Sequence, residues 1–359
     1  MSVLELRERQ QFDLAEVLRS LMLPALGVLL VAAVLTGLTS GAASLTSSDV
    51  LAVVWAYMSG GGTADPVTHA IVMEIRMPRV LLGGMVGATL AISGAVLQAL
   101  FRNPLAEPSI IGVSAGAGAA AVATIVLGAT FGSLGALILY ALPVAAFAGG
   151  FIATMIVVAI ARVNGQTPMT TILLSGIAVA ALGGAIMGLM MFISNDEQLR
   201  SITFWMLGSL GGATWATILP AITIMSVILL AMPVLMHKLN LMLLGEREAA
   251  SLGLNVDRFK YACVALVAAG VGAAVAVSGT IGFVGIVVPH LLRMVVGPDH
   301  RILLPASALS GAALLLWADV VARTIAPPAE LPIGVLTALL GAPFFLWLLR
   351  RAAREGTSW

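Results

Sequence analysis

The chain has 359 residues, of which 60% are hydrophobic and 10% are charged. An average soluble domain carries about 25% charged residues, so this chain has too little polar surface to cover a soluble core. Its net charge is +1 and it contains no basic block, which gives no sign of nucleic-acid binding. A membrane-spanning helix needs roughly 20 apolar residues, and the composition therefore predicts an all-α polytopic membrane protein.

Ten apolar segments are predicted to form transmembrane helices, in a permease domain over residues 21–350. The eighth contains Pro289, which we expect to break it. Residues 1–20 carry mixed charge, unlike a cleaved signal peptide, and are expected to form a helical cytoplasmic N-terminal segment; residues 351–359 form a cytoplasmic tail. The ten segments are 21–40, 80–100, 110–129, 137–160, 170–193, 217–236, 261–279, 282–296, 303–325 and 333–349.

The distribution of the 18 Lys and Arg residues predicts the orientation of the chain. With the N-terminus inside and ten alternating spans, only Arg76, Arg79, Arg200 and Arg323 fall outside, which leaves 18 − 4 = 14 inside. Cytoplasmic loops are enriched in Lys and Arg, so the count favours cytoplasmic locations for both termini.

Small residues recur at a spacing of four within the predicted spans. Gly83 and Gly87, Gly112 and Gly116, and Gly184 and Gly188 fit the small-xxx-small pattern that lets helix backbones approach closely. We interpret them as packing positions, with sliding or tilting of helices as the alternative.

The sequence offers no energy source of its own. It has no P-loop for ATP, no Cys/His metal pattern and few ionisable groups within the spans. Asp319 lies four residues before Arg323, a spacing that predicts a local ion pair rather than a proton relay. A proton-coupled secondary carrier, which normally places ionisable groups in its spans, is therefore disfavoured but stays the alternative from another class.

The longest inside connection, residues 237–260, interleaves leucines with charged residues. This pattern predicts a short helix with one apolar side on the cytoplasmic face. It is typical both of a lone interfacial helix and of a docking surface for a cytoplasmic partner.

Several long motifs resemble the permeases of the iron-chelate, haem and cobalamin uptake family of ABC importers, the FecCD-type type II importers. The resemblance extends from about residue 76 to the C-terminus. The motifs are RMPRVLLGGMVGATLAISGAVLQALFRNPLAEPSIIGVSAGAG (76–118), GSLGGATW (208–215), GEREAASLGLNV (245–256), GTIGFVGIVVPHLLRMVVGPDHRILLPASALSGAALLLWADVVAR (279–323) and ELPIGVLTALLGAPFFLWLLRR (330–351).

The resemblance implies a homodimer in a bacterial inner membrane, bound to two ATP-binding subunits inside and to a periplasmic substrate-binding protein outside. It implies that ATP and Mg bind the separate ATPase, so that the permease is non-catalytic and holds no permanent cofactor or metal. The energy source missing from this chain would then lie on its partner.

The resemblance also implies roles for particular residues. Those expected to dock the binding protein are Arg76, Arg79 and Arg323, whose guanidinium forks suit carboxylates; headgroup anchoring is the alternative. Those expected at the cytoplasmic gate are Asn103, Leu105, Met169 and Thr170, with helix-end packing as the alternative. Those expected to couple to the ATPase, within a segment at about 240–257, are Gly245, Glu246, Leu252 and Gly253.

The substrate expected from the resemblance is haem, with cobalamin second and a ferric siderophore third. NPLAEP resembles haem and cobalamin permeases, and WMLGSLGGATW (205–215) resembles haem permeases. A pathway lined by Met, Leu, Ala and Gly would also admit the flat apolar ring. We expect Arg200 to attract the haem propionates at the entrance, with an ordinary interfacial arginine as the alternative.

Overall fold

The computed structural model describes residues 3–41, 43–60, 65–128, 138–162, 167–327 and 329–355. These residues form α-helices and connecting loops, with no β-strand among them. The helices are α1 (Val3–Thr39), α2 (Ser47–Ser59), α3 (Pro66–Ala70), α4 (Met77–Phe101), α5 (Val113–Gly128), α6 (Ile138–Ala161), α7 (Met169–Ile193), α8 (Asp196–Leu207), α9 (Trp215–Leu230), α10 (Met232–Leu244), α11 (Glu246–Ser251), α12 (Val256–Ser278), α13 (Val284–Val296), α14 (His300–Thr324) and α15 (Ile333–Glu355).

The all-helical class is confirmed, and each of the ten predicted apolar segments coincides with helix. Among the described residues, six helices are long and apolar enough to cross a membrane: α1 from Ser20, α3 continued through a π-helical turn into α4, α6 from Tyr140, α7, α12 and α14. The pair α9 and α10, bent by 44°, makes a seventh if counted as one span. Because α5, α13 and the apolar part of α15 are shorter, ten spans and cytoplasmic termini stay predictions.

The bend between α9 and α10 divides the predicted span at 217–236. Pro233 lies in the first turn of α10, where a missing backbone N–H costs nothing. Proline cannot continue the hydrogen-bond ladder of a preceding helix, and α9 therefore ends before it.

Helix α13 runs through Pro289, so the expected break is wrong. A proline inside a helix leaves the carbonyl four residues earlier without its usual donor, and here that carbonyl belongs to Gly285. The buried side chain of Gln98 on α4 supplies the donor, with its Nε2 3.2 Å from Gly285 O and 3.2 Å from Ile286 O. A neighbouring helix thus compensates for the proline.

The core is organised around α4, which packs against α9, α12, α13 and α14. Glycines allow the closest approaches, because a Cβ at Gly87 would collide with Gly311 of α14 and a Cβ at Gly94 with Gly285 of α13. Gly116 of α5 meets α6 in the same way, at Gly149. The packing interpretation therefore holds for the predicted positions Gly87 and Gly116, and Gly94, which was not among them, packs in the same way.

Gly184 and Gly188 on α7 differ from the other predicted packing glycines. A Cβ at either position would meet no atom within 4 Å. Their face of α7 is open in the single chain, since Ile177 and Ala185 on the same side of the helix are also exposed. The small-xxx-small pattern therefore has no partner within the described part of this subunit.

Candidate functional site

Three arginines predicted to lie outside converge on one cavity. Arg76 ends the π-helical turn, Arg79 lies in the first turn of α4, and Arg323 lies in the last turn of α14. Together with Glu330 in the loop before α15, they line a cavity of about 470 Å³. We call it the arginine pocket, and the end of the helix bundle that carries it the outer end.

Arg79 forms the centre of the arginine pocket, because its guanidinium binds two carboxylates. Its Nε lies 3.0 Å and its Nη2 2.9 Å from Asp319 Oδ1. Its Nη1 and Nη2 lie 2.9 Å from Glu330 Oε1 and Oε2 respectively. The hydrogen bonds from Arg79 lower the pKa of Glu330 below its ordinary value, so this carboxylate is ionised at neutral pH.

The other two arginines hold the end of α1. Arg76 Nη1 lies 2.7 Å from both Leu38 O and Thr39 O, and Arg323 Nη2 lies 2.7 Å from Gly37 O. These carbonyls are in the last turn of a helix, where intrahelical donors run out. Several of the guanidinium N–H groups of Arg76 and Arg323 therefore stabilise the end of α1.

The predicted ion pair between Asp319 and Arg323 is confirmed, with Asp319 Oδ2 3.4 Å from Arg323 Nε. The shorter contacts of Asp319 are nevertheless with Arg79, on a different helix. Docking of a binding protein by Arg76, Arg79 and Arg323 stays a prediction. In the single subunit the side chain of Arg79 is 12% exposed and Arg76 is 4% exposed.

Sequence reasoning missed Glu330 as a member of this site. It lies 251 residues from Arg79, a separation at which sequence spacing does not reveal a pair. The available signal was charge: a carboxylate in the predicted outer loop between the last two spans, close to several of the few outer cations.

The predicted gate residues lie in two segments. Asn103 shapes a turn after α4, since its Oδ1 accepts the backbone N–H of Leu105 at 2.9 Å. Met169 begins α7 and packs against the core, and Thr170 is exposed. The two segments are in contact, because Gly176 of α7 lies against Ile110 in the 3-10 turn Pro108–Ile111. Gating by the four residues stays a prediction.

A partly buried acid follows the turn that Asn103 shapes. Glu107 accepts a hydrogen bond from the hydroxyl of Ser109, and burial raises the pKa of the Glu107 carboxyl. The NPLAEP motif therefore places an ionisable group beside the predicted gate, which the sequence analysis did not single out.

The predicted coupling segment contains the short helix α11 between two tight turns. Gly245 (φ 130°) and Gly253 (φ 91°) flank α11 in backbone conformations that favour glycine. Glu246 Oε2 lies 2.7 Å from Nζ of the buried Lys260, which ties α11 to α12. Leu252 is 62% exposed, so an apolar side chain is available to a partner. Coupling to an ATPase stays a prediction.

Arg200 is exposed on α8, and it does not line the arginine pocket. A capping box of Asn195 and Gln198 starts α8, and Gln198 Nε2 also lies 3.1 Å from Val126 O of α5. The start of α8 is therefore fixed to α5, and Arg200 lies on an exposed part of α8.

Comparison with known proteins agrees with the motifs and the fold. The model of the FecCD transport family matches residues 29–351. The cobalamin import system permease protein BtuC of Halobacterium salinarum is 48% identical over 79% of this chain and 74% of its own length. The hemin transport system permease protein HmuU of Yersinia pestis is 45% identical over 93% of this chain and 97% of its own length.

The vitamin B12 import system permease protein BtuC of Escherichia coli is 44% identical over 83% of this chain and 89% of its own length. A solved metal-chelate type ABC transporter in an inward-facing conformation superimposes with a TM-score of 0.78 and 35% identity, over 92% of this chain and 98% of its own. The chain is therefore an ABC importer permease that belongs to the FecCD transport family.

Proposed function

We propose that this permease carries haem from a periplasmic binding protein to the cytoplasm of a bacterial cell. The observation that carries the proposal is the 45% identity to the Yersinia pestis hemin permease, which extends over 93% of this chain and 97% of that protein. The cobalamin permeases match over shorter parts of the chain, and cobalamin is therefore the second candidate, ahead of a ferric siderophore.

We infer that a second copy, two ATP-binding subunits and a binding protein complete the importer in the inner membrane. Gly184 and Gly188 on the open face of α7 support a helix partner outside the subunit, because small residues permit close approach. The exposed Leu252 beside α11 supports a cytoplasmic partner. The arginine pocket supports an acidic partner at the outer end, and ATP with Mg would bind the ATPase alone.

Competition during uptake tests the substrate. Proteoliposomes containing the permease, its cognate ATPase and its cognate binding protein would receive labelled haem with excess cobalamin or a ferric siderophore. We expect ATP-dependent haem accumulation that neither competitor reduces. Suppression of labelled haem accumulation by excess cobalamin or siderophore would overturn haem as the substrate and leave the family assignment intact.

Arg200→Ala is expected to slow haem uptake about threefold at low salt, because a single cation near an entrance mainly changes the encounter rate. Arg200→Lys keeps the charge and should retain most of the rate, and binding-protein affinity should stay unchanged in both variants. The initial uptake rate at low and high ionic strength measures the effect. An unchanged rate for Arg200→Ala would contradict the proposed attraction of propionates.

Leu252→Asp is expected to weaken ATPase binding about tenfold or more, because a charge would enter the apolar part of the interface. Leu252 is 62% exposed, so the fold itself should not suffer. Leu252→Met, which conserves apolar volume, is the matched control. Co-purification with the ATPase measures the effect, and equal retention by both variants would refute a role for Leu252 in coupling.

A further inference from the structure

The two carboxylates that share Arg79 differ in how firmly they are held. Asp319 lies within α14, and its side chain is 1% exposed. Glu330 lies in the loop between α14 and α15, and its side chain is 44% exposed. Because water already reaches Glu330, this carboxylate can be solvated when it leaves the guanidinium, whereas Asp319 would be left as an unpaired buried charge.

The loop permits Glu330 to leave without unfolding. The next residue, Leu331, donates its backbone N–H to Ala322 O at 2.9 Å, and Ile333 donates to Gly208 O at 3.1 Å. These bonds fix the backbone beyond Glu330 to α14 and to the end of α8. Rotation of the glutamate side chain alone therefore suffices to release Arg79.

Glu330 occupies the edge of Arg79 that a foreign carboxylate would need. Asp319 binds Nε and Nη2, whereas Glu330 binds Nη1 and Nη2 in the bidentate arrangement that guanidinium and carboxylate prefer. Arg76 and Arg323 already donate most of their hydrogen bonds to backbone carbonyls at the end of α1 and just beyond it. An acidic group entering the pocket thus meets Glu330 as its competitor.

We propose that Glu330 is an internal ligand of the arginine pocket, which an acidic side chain of the binding protein displaces when it docks. The inference rests on the proposed function, because it requires a docking partner at the outer end. Asp319 stays bound during the exchange and keeps the guanidinium oriented. Glu330 thereby sets the affinity of docking, so that an unoccupied pocket is not left open to unrelated anions.

The charge balance gives the direction of the effect. The pocket contains three arginines against Asp319 and Glu330, a net charge of 3 − 2 = +1. Neutralising Glu330 as glutamine raises this to +2 and replaces the bidentate pair on that edge of Arg79 with at most one hydrogen bond. Both changes favour an incoming carboxylate.

Glu330→Gln tests the inference, with Glu74→Gln as the matched control. Glu74 is an exposed carboxylate in the π-helical turn Ile71–Arg76, at the same end of the bundle, and it does not line the pocket. The measurement is the affinity of the purified cognate binding protein for the full permease–ATPase complex in nanodiscs. We expect Glu330→Gln to tighten binding about two- to fivefold, the range of one partly exposed ion pair, and Glu74→Gln to leave it unchanged.

The possible results separate the inference from the proposed function. If wild type binds and Glu330→Gln binds equally or more weakly, Glu330 is not a competitor, and the inference is overturned while docking stands. The same holds if Glu74→Gln tightens binding as much, because the effect would then be general charge. If the binding protein binds neither wild type nor either variant, docking itself fails, and the inference fails with it. Thermal unfolding of Glu330→Gln checks that the variant is folded.

Discussion

Gly94→Ala is expected to destabilise the folded permease by about 3 kcal/mol, at the upper end of the usual cost of overpacking. A Cβ at Gly94 would lie 2.7 Å from the Cα of Gly285 and closer still to its carbonyl group. These are backbone atoms of α13, so no flexible side chain can move aside. The carbonyl of Gly285 also accepts the Gln98 hydrogen bond that compensates for Pro289. Separating α4 from α13 would disturb that hydrogen bond as well.

Gly84→Ala is the matched control for Gly94→Ala. Gly84 lies on the same helix, but a Cβ there would meet no atom within 4 Å. Thermal unfolding in nanodiscs measures both variants. We expect a clear loss of Tm for Gly94→Ala alone, and equal melting of the two variants would show that α4 and α13 do not pack as described.

Arg79→Ala is the second change with a large expected effect. Among the residues that the structure describes, it leaves the buried Asp319 with the 3.4 Å contact to Arg323 alone, and removing one partner of a buried ion pair costs about 3–5 kcal/mol. We therefore expect a lower unfolding temperature. We also expect loss of binding-protein affinity, because the guanidinium predicted to receive the partner's carboxylate is gone.

A double variant separates these two effects of Arg79→Ala. Adding Asp319→Asn removes the orphaned charge and should restore much of the stability, because the two residues are directly coupled. It should not restore docking or uptake. Recovery of uptake together with stability would mean that Arg79 has only a structural role.

The fold was predictable where the sequence of a single helix shows its apolar length or its glycine spacing. Spans α4, α12 and α14 follow from apolar length, and the glycine spacing of α4 anticipated its close contacts. The short helices α2 and α8 were not predicted, although the capping pairs Thr46–Asp49 and Asn195–Gln198 mark their starts. Such short helices lack the apolar length on which the search for spans depended.

The site was predictable in its charges and not in its pairing. Counting Lys and Arg placed four arginines outside, and the resemblance singled out Arg76, Arg79 and Arg323 among them, which the structure brings into one cavity. The partners of Arg79 lie 240 and 251 residues away, so only the packing of α4 against α14 reveals them. The continuity of α13 through Pro289 likewise depends on a donor from another helix.

ATP-driven uptake by proteoliposomes containing the permease, its cognate ATPase and its haem-loaded cognate binding protein distinguishes an ABC importer from a carrier that works alone. We predict haem accumulation that requires ATP and the ATPase, persists when an ionophore collapses the proton gradient, and fails in the stability-restored Arg79→Ala, Asp319→Asn variant. Uptake without ATPase that follows the proton gradient would contradict this prediction and would identify a secondary carrier.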